Sequence, residues 1–273
     1  MTDKISLAGD LGSGKSTVSK ILIERLGAEY YSTGAIVRSI AEKHGMSVVE
    51  LNVYMETHPE IDHEIDDGLK ELSKVDKLLV IDSRMAWHFT EGTFKVYLSA
   101  DPETSALRIM NANRIGEHSD SLEATIKDTL NRRESEKKRY LEQYGVDIKN
   151  LQNYDLVVDT TAATPEEVAE ALISGFSAWQ DNKNSKGLLV CPERIMYPDD
   201  AADGDEVSRR ASMLDRGEKI PEVLLFESNG EFYLEEGLES ALAYAFNMTT
   251  YIPAKLVSGS ADGKKYTKMK NSL

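Results

Sequence analysis

Residues Gly9-Asp10-Leu11-Gly12-Ser13-Gly14-Lys15-Ser16 fit the spacing G-x-x-x-x-G-K-[ST], with Thr17 directly after them. Each residue type has a chemical reason to stand where it does. Gly9, Gly12 and Gly14, with Ser13 between the last two, let successive backbone N–H groups converge on phosphate oxygens, and the positive end of a following helix adds to them. Lys15 would reach the β- and γ-phosphates of a nucleotide, and the Ser16 hydroxyl would ligate Mg²⁺. The chemistry implied is the binding of ATP with Mg²⁺, and phosphoryl transfer from it. A turn that only joins strand to helix has no need of a lysine and a serine at these offsets. Asp10 is the odd member, because a carboxylate beside polyphosphate is unfavourable; it is expected to point outward.

A phosphoryl acceptor has to be sought elsewhere. Arg38, Arg84, Arg108, Arg114, Arg132, Arg133 and Arg139 are spread over several elements that can converge above one sheet edge. Arginine suits the task because its planar fork binds phosphate bidentately and stays charged, and phosphoryl transfer works mainly by positioning and charge stabilisation. The run RRESEKKRY, Arg132 to Tyr140, puts five basic side chains into eight positions. On a helix, Arg132, Glu136 and Arg139 fall at i, i+4 and i+7 on one face, while Arg133 and Lys137 lie on an adjacent stripe. The bland alternative is a solvated helix face, which suits Lys137 and Lys138.

These groups need a scaffold. The segment KISLAG (4–9) reads as a buried strand running into the glycine loop, and Val18, Ile21, Leu22 and Leu26 form the apolar stripe of the next helix. Further strands are predicted at 28–32, 76–83, 94–100 and 155–161, with helices near 34–45, 60–74, 102–113, 121–143 and 164–180. This alternation predicts an α/β fold, a P-loop, doubly wound, parallel five-stranded sheet with helices on both faces. After Trp179 the polar stretch QDNKNSKG reads as a linker, dividing the chain into units 1–182 and 183–273. The second unit is expected to be a small α+β domain, with a helix near 205–216, a hairpin turning at Asn229-Gly230, an alanine-rich helix ending near Phe246 and a frayed tail.

The chain has 273 residues and a formal net charge of −15. Residues 1–182 carry 20 Lys and Arg against 32 Asp and Glu, and residues 183–273 carry 12 against 15, so the acidity belongs mainly to the first unit. That balance argues against nucleic acid as a partner, which requires basic surface to displace counterions. Cys191 is the single cysteine, so no internal disulfide forms, and no Cys/His spacing suits zinc. No apolar run approaches the roughly 18–20 residues of a membrane span. A soluble, cytoplasmic protein without membrane association is expected.

The stretches GSGKSTVSKILIERLG, YYSTGAIVRSIAEKHGMSVVELN, HPEIDHEID, IDSRMAWHF, RRESEKKRYLEQYGVDI and NYDLVVDTT occur in this order. In them, residues 1–180 resemble the cytidylate kinase family, especially its short archaeal-type branch. The resemblance implies transfer of the γ-phosphoryl of ATP to CMP or dCMP, with small-molecule nucleotides as the partners. It places Ser32, Gly34 and Arg38 in the monophosphate-binding segment and Arg84 on the acceptor phosphate. Arg132 and Arg139 would face the substrate, with Glu136 accepting hydrogen bonds between them. Arg108 and Arg114 would flank a short lid that excludes water. Lys15, Arg84, Arg114 and Arg132 would be the catalytic charges, and no general base is required because the acceptor is already an oxyanion. The chain departs from the family pattern at Ser83, where glycine is common, and in the lid stretch MNANRIGEHSD, which is less basic than usual.

Within residues 187–258, the segment EKIPEVLLFESNGEFYLEEGLESALAYAFNMTTYIPAKLV resembles a ParB/sulfiredoxin-type domain. Its turn reads Glu236-Gly237-Leu238-Glu239-Ser240, without the histidine and arginine that meet phosphate in that family. A degenerate appendage that packs on the first unit or binds a protein partner is the expectation. Two rivals stay open for the whole chain: a kinase for another small acceptor, and a P-loop nucleotide-sensing regulatory protein.

Overall fold

Strand and helix alternate through the first two thirds of the chain as the periodicity predicts. The computed structural model describes residues 2–112 and 121–268. In chain order they form β1 (Lys4–Gly9), α1 (Lys15–Leu26), β2 (Glu29–Ser32), α2 (Thr33–Lys43), α3 (Val48–Met55), α4 (Pro59–Glu71), β3 (Leu79–Asp82), α5 (Ala86–Phe89), β4 (Thr93–Ser99), α6 (Pro102–Asn111), α7 (Leu122–Tyr144), β5 (Leu156–Asp159) and α8 (Pro165–Asp181). Five strands lie parallel in the order β2-β3-β1-β4-β5. Leu7 sits opposite both Asp82 and Val96, so the glycine loop after β1 and the end of β3 emerge together at the C-terminal edge. A parallel sheet presents its ligand crevice there, where the strand order reverses.

Apolar side chains cover both faces. On one, Ile5, Leu7, Val18, Leu22, Val96, Leu172, Phe176 and Trp179 pack α1 and α8 onto the sheet. On the other, Leu69, Leu79, Ile81, Met85, Tyr140 and Ile148 seat α7. The segment α2–α4 keeps a small core of its own, with Ala41, Leu51, Met55, Ile61 and Ile65. Helix α3 was not predicted; it starts at a capping box in which Ser47 and Glu50 satisfy each other's backbone N–H.

The remaining elements are β6 (Gly187–Val190), β7 (Ile195–Pro198), α9 (Gly204–Asp215), β8 (Val223–Ser228), β9 (Glu231–Glu236), α10 (Leu238–Phe246), β10 (Ile252–Leu256) and β11 (Tyr266–Lys268). They do not begin a separate sheet. Strand β6 runs parallel to β5, pairing Val157 with Leu188, and the order continues β10-β8-β9-β7-β11 to give one eleven-stranded sheet among the described residues. One buried cluster joins Tyr97, Tyr154 and Val157 to Leu188, Val190, Ile195, Val223, Phe232 and Ile252. The boundary expected at 182/183 therefore falls where hydrogen bonding and core both run on. The hairpin turn is where Asn229-Gly230 predicts it, with both residues at positive φ. The tail expected to fray instead pairs β11 with β7 up to Lys268.

Cutting the chain after residue 182 would leave β5 as a sheet edge and uncover Tyr97, Tyr154 and Val157, which are at most 4% exposed. Each large apolar side chain uncovered costs about 1.5–3 kcal/mol, and each kcal/mol is about 2–4 °C at this size. Fragment 1–182 is expected to melt about 10 °C or more below the full chain; equal melting temperatures would show two independent units.

Candidate active site

The glycine loop can only be built from glycines. Gly9 has φ 143°, and a Cβ there would lie 2.3 Å from the Leu98 carbonyl oxygen; Gly12 has φ 75°, and a Cβ would lie 2.4 Å from the Ser105 carbonyl oxygen. Gly14, also at positive φ, turns the chain into α1, whose first residue is Lys15. The Lys15 ammonium donates to the carbonyls of Gly9 at 3.0 Å and Asp10 at 2.7 Å. Burial pushes its pKa down to about 8, with Arg84 acting in the same direction and Asp82 opposing.

Two clefts bear on the site, one of them lined by this loop. The loop-side cleft is lined by Gly12, Ser13, Gly14, Thr17, Arg108, Thr160, Ala163 and Pro165. Arg108 is fixed there by donating to the Thr160 carbonyl at 2.7 Å, the Thr161 carbonyl at 3.3 Å and the Thr160 hydroxyl at 3.2 Å. Arg114, the other expected lid residue, lies outside the described residues. The second cleft is lined by Gly34, Arg38, Asn52, Asp62, Asp66, Arg84, Arg132, Glu136, Arg139 and Tyr140, with the apolar residues between them. Ser32 does not line it; its side chain accepts from the Ala35 N–H and caps α2.

The second cleft gathers charge from four elements. Glu136 pairs with Arg84, at the end of β3, and with Arg132 at 3.1 Å, one turn earlier on α7. Burial alone would push the Glu136 carboxyl up; the guanidinium groups of Arg84, Arg132 and Arg139 outweigh this and hold it below the usual carboxylate range. Arg139 was expected to share Glu136, but its hydrogen bond goes to the Asn52 carbonyl at 3.3 Å and its ion pair to Asp62 at 3.2 Å. Glu136 thus bridges Arg84 and Arg132, while Arg139 ties α7 to α3 and α4. Lys138 faces solvent as expected, 4.0 Å from Glu142, whereas Lys137 is half-buried, 3.9 Å from Asp147. Arg84 and Glu136 also line a narrower passage with Gly9, Asp10 and Leu11, so they share a wall with the glycine loop.

Asp10 contradicts expectation. It points inward, 6% exposed, accepting from the Tyr97 hydroxyl at 2.7 Å, the Ala100 N–H at 3.1 Å and the Lys149 ammonium, with Arg133 at 3.5 Å. Burial would raise its pKa, yet Lys149 and Arg133 hold it well below the usual range. The outward placement weighed only repulsion from polyphosphate; two cations brought in by α7 and the loop before β5 reverse the balance. The carboxylate pins the glycine loop to β4 and α7.

Asp82 escaped the sequence reading. It ends β3 beside β1, where the Ser16 hydroxyl at 3.4 Å and the Tyr30 hydroxyl at 3.1 Å donate to it. A serine hydroxyl and a carboxylate side by side at the loop are the hard oxygen donors that Mg²⁺ takes. The signal was an aspartate closing the apolar run LLVID, but only strand order shows that this strand adjoins the loop. Among the described residues, no cluster of three or more His, Cys, Asp or Glu forms a dedicated metal cage, and no helix is long and apolar enough to cross a membrane.

The sequence model of the cytidylate kinase-like family matches residues 4–162. The chain belongs to the cytidylate kinase-like family. It is 39% identical over 175 residues to a cytidylate kinase of Thermoplasma volcanium, covering 63% of this chain and 90% of that one. With a cytidylate kinase of Archaeoglobus fulgidus it shares 38% over 171 residues, covering 62% and 92%. An S-adenosylmethionine-dependent nucleotide dehydratase of Lacinutrix mariniflava is 38% identical over 177 residues, which cover 64% of this chain but 36% of that relative. Membership makes the chain an ATP-dependent phosphotransferase of the nucleoside monophosphate kinase class. In this cytidylate kinase-like protein, the family match takes in both clefts' charged residues and stops before β6.

Lys15→Ala is expected to lower turnover by ~10²-fold or more, the scale of losing one preorganised charge donor, while the melting temperature holds; ADP release under saturating substrates reads it. Asp66 offers a second test. Burial pushes its carboxyl from 3.8 up to about 6, with Asp62 adding to the rise and the Tyr144 hydroxyl opposing it. A carboxyl raised in the folded state stabilises below its unfolded pKa, and that contribution is lost as pH climbs through about 6. Asp66→Asn should therefore raise the melting temperature at pH 7.5 and gain progressively less toward pH 5. An equal shift at both pH values would refute the assignment.

Proposed function

We propose that this kinase transfers the γ-phosphoryl group of ATP to CMP or dCMP. The supporting observation is the pair of clefts, one against the glycine loop that leads into Lys15 and one walled by Arg84, Arg132 and Arg139. ATP occupies the first, its polyphosphate cradled by the loop N–H groups, Lys15 and Thr17, and its outer part beside Arg108. The nucleoside monophosphate occupies the second. An acceptor phosphate oxygen bonds to the γ-phosphorus as the bond to the β,γ-bridging oxygen breaks, and ADP leaves with that electron pair. No proton has to move, so the protein's task is to align two anions and neutralise their repulsion.

Arg84 and Arg132 carry the acceptor phosphate, and their shared carboxylate, Glu136, fixes the placement of both guanidinium groups. Arg38, on the exposed rim of α2, closes the same site from the other side. Asn52, Asp62 and Asp66 lie on the α3–α4 wall and present amide and carboxylate oxygens to the base; a carboxylate accepting from the cytosine amino group is the natural match. Mg²⁺, held through Ser16 and Asp82, supplies charge neutralisation at the β- and γ-phosphates when bound. Residues 183–273 are read as a non-catalytic unit. Arg210 donates to Ser240 at 2.8 Å and lies 3.8 Å from Glu239, so the turn that would meet phosphate is paired internally.

The deciding experiment measures ADP release with CMP, dCMP, UMP, AMP, shikimate and no acceptor. CMP or dCMP should give the highest kcat/KM, with UMP and AMP at least about tenfold lower, a difference of about 1.4 kcal/mol. A higher value for any other acceptor would replace the cytidylate assignment. Turnover absent from every arm, or independent of acceptor, would favour a nucleotide-sensing protein.

A further inference from the structure

Arg194 heads the fully buried side chains by volume, at 2% exposure, and it lies beyond the residues that match the family. Its guanidinium joins the two parts of the chain. On the C-terminal side it binds Glu231 at 2.8 Å and donates to the Gly230 carbonyl at 2.8 Å, both at the β8–β9 hairpin. On the kinase side its Nε lies 3.5 Å from Oδ1 of Asp159, the wholly buried last residue of β5. Asp159 in turn organises the chain that follows it. Its Oδ1 accepts from the Thr161 N–H at 3.3 Å and the Thr161 hydroxyl at 2.7 Å, and its Oδ2 accepts from the Cys191 N–H at 3.2 Å. The carbonyls of Thr160 and Thr161 are the acceptors that hold Arg108 against the donor cleft.

Packing does not account for this residue. A buried guanidinium must be compensated on every side, and an apolar side chain of similar size would fill the space at lower cost. The hairpin of one part supplies its hydrogen bonds, and the strand end of the other supplies the carboxylate charge that faces Nε, which has no hydrogen-bond partner among the described residues. We propose that Arg194 is a positioning residue for the donor nucleotide: it fixes Asp159, hence the Thr160–Thr161 turn, hence Arg108. The proposal rests on reading the Arg108 cleft as the ATP side. It makes residues 183–273 part of the kinase site, acting through one buried charge, without touching either substrate.

The test uses the full-length chain with Arg194→Met, Arg194→Lys and Glu231→Gln. KM for ATP, KM for CMP and kcat are measured, together with the Kd of ADP by calorimetry and the melting curve. Arg194→Met should raise KM for ATP and Kd for ADP by roughly tenfold while KM for CMP and kcat stay within about twofold. Arg194→Lys should recover part of the loss, and Glu231→Gln should shift ADP affinity in the same direction by a smaller factor. Unchanged ADP affinity in a folded Arg194→Met, or equal loss of ATP and CMP affinity, overturns the proposal. Where Arg194→Met does not fold, unchanged ADP affinity in both milder variants overturns it equally. Absence of CMP turnover in the unmodified chain would refute the acceptor assignment alone, because ADP binding is read without it.

Discussion

Burying guanidinium groups in the wall of a cleft costs several kcal/mol apiece unless carboxylates lie beside them, and the catalytic half of this molecule is arranged around that requirement. Glu136 is placed between Arg84 and Arg132, Asp62 against Arg139, and Asp10 between Lys149 and Arg133. Each carboxylate lets cations stay desolvated and aimed before any anionic ligand arrives. The pairs also dictate the packing. Satisfying them requires α7 to lie across the C-terminal edge of the sheet, with β3, α3 and α4 on one side and the glycine loop on the other. The cleft's geometry follows from which charge must meet which.

The parts of this arrangement that are local in sequence are the parts that were legible in it. The glycine loop, the helix stripe of α1 and the Asn229-Gly230 hairpin each depend on residues a few positions apart, and each stands where its chemistry predicted. The helical spacing of Arg132, Glu136 and Arg139 correctly put them on one cleft wall. The partners were another matter. Arg84 is 52 residues from Glu136 and Lys149 is 139 from Asp10, and nothing in periodicity pairs charges over such separations. Repulsion from polyphosphate is all that local sequence offers for Asp10, and Asp82 reads there as an ordinary strand-ending aspartate; the cations around the one and the glycine loop beside the other come only with the tertiary fold.

The same distinction explains the C-terminal third. A polar stretch after a long helix is a sound local sign of a boundary, and α8 does end there. Whether the next strand opens a new sheet or extends the old one depends on β5, about thirty residues upstream, whose outer edge would otherwise be left unpaired. Strand β6, with its short LLV core, supplies the partner. Kinase and extension therefore share backbone hydrogen bonds and a core, a more intimate union than two domains on a tether.

Helix α7 has one further consequence. It is an unbroken run of 23 residues, ended by Gly145 in the left-handed conformation. At 1.5 Å per residue, Arg132 and Arg139 are separated by about 10 Å along its axis. One guanidinium pairs with Glu136 and the other reaches out toward α3 and α4. Such a helix works as a ruler: its calibration is the rise of the backbone, which no side-chain rearrangement can stretch.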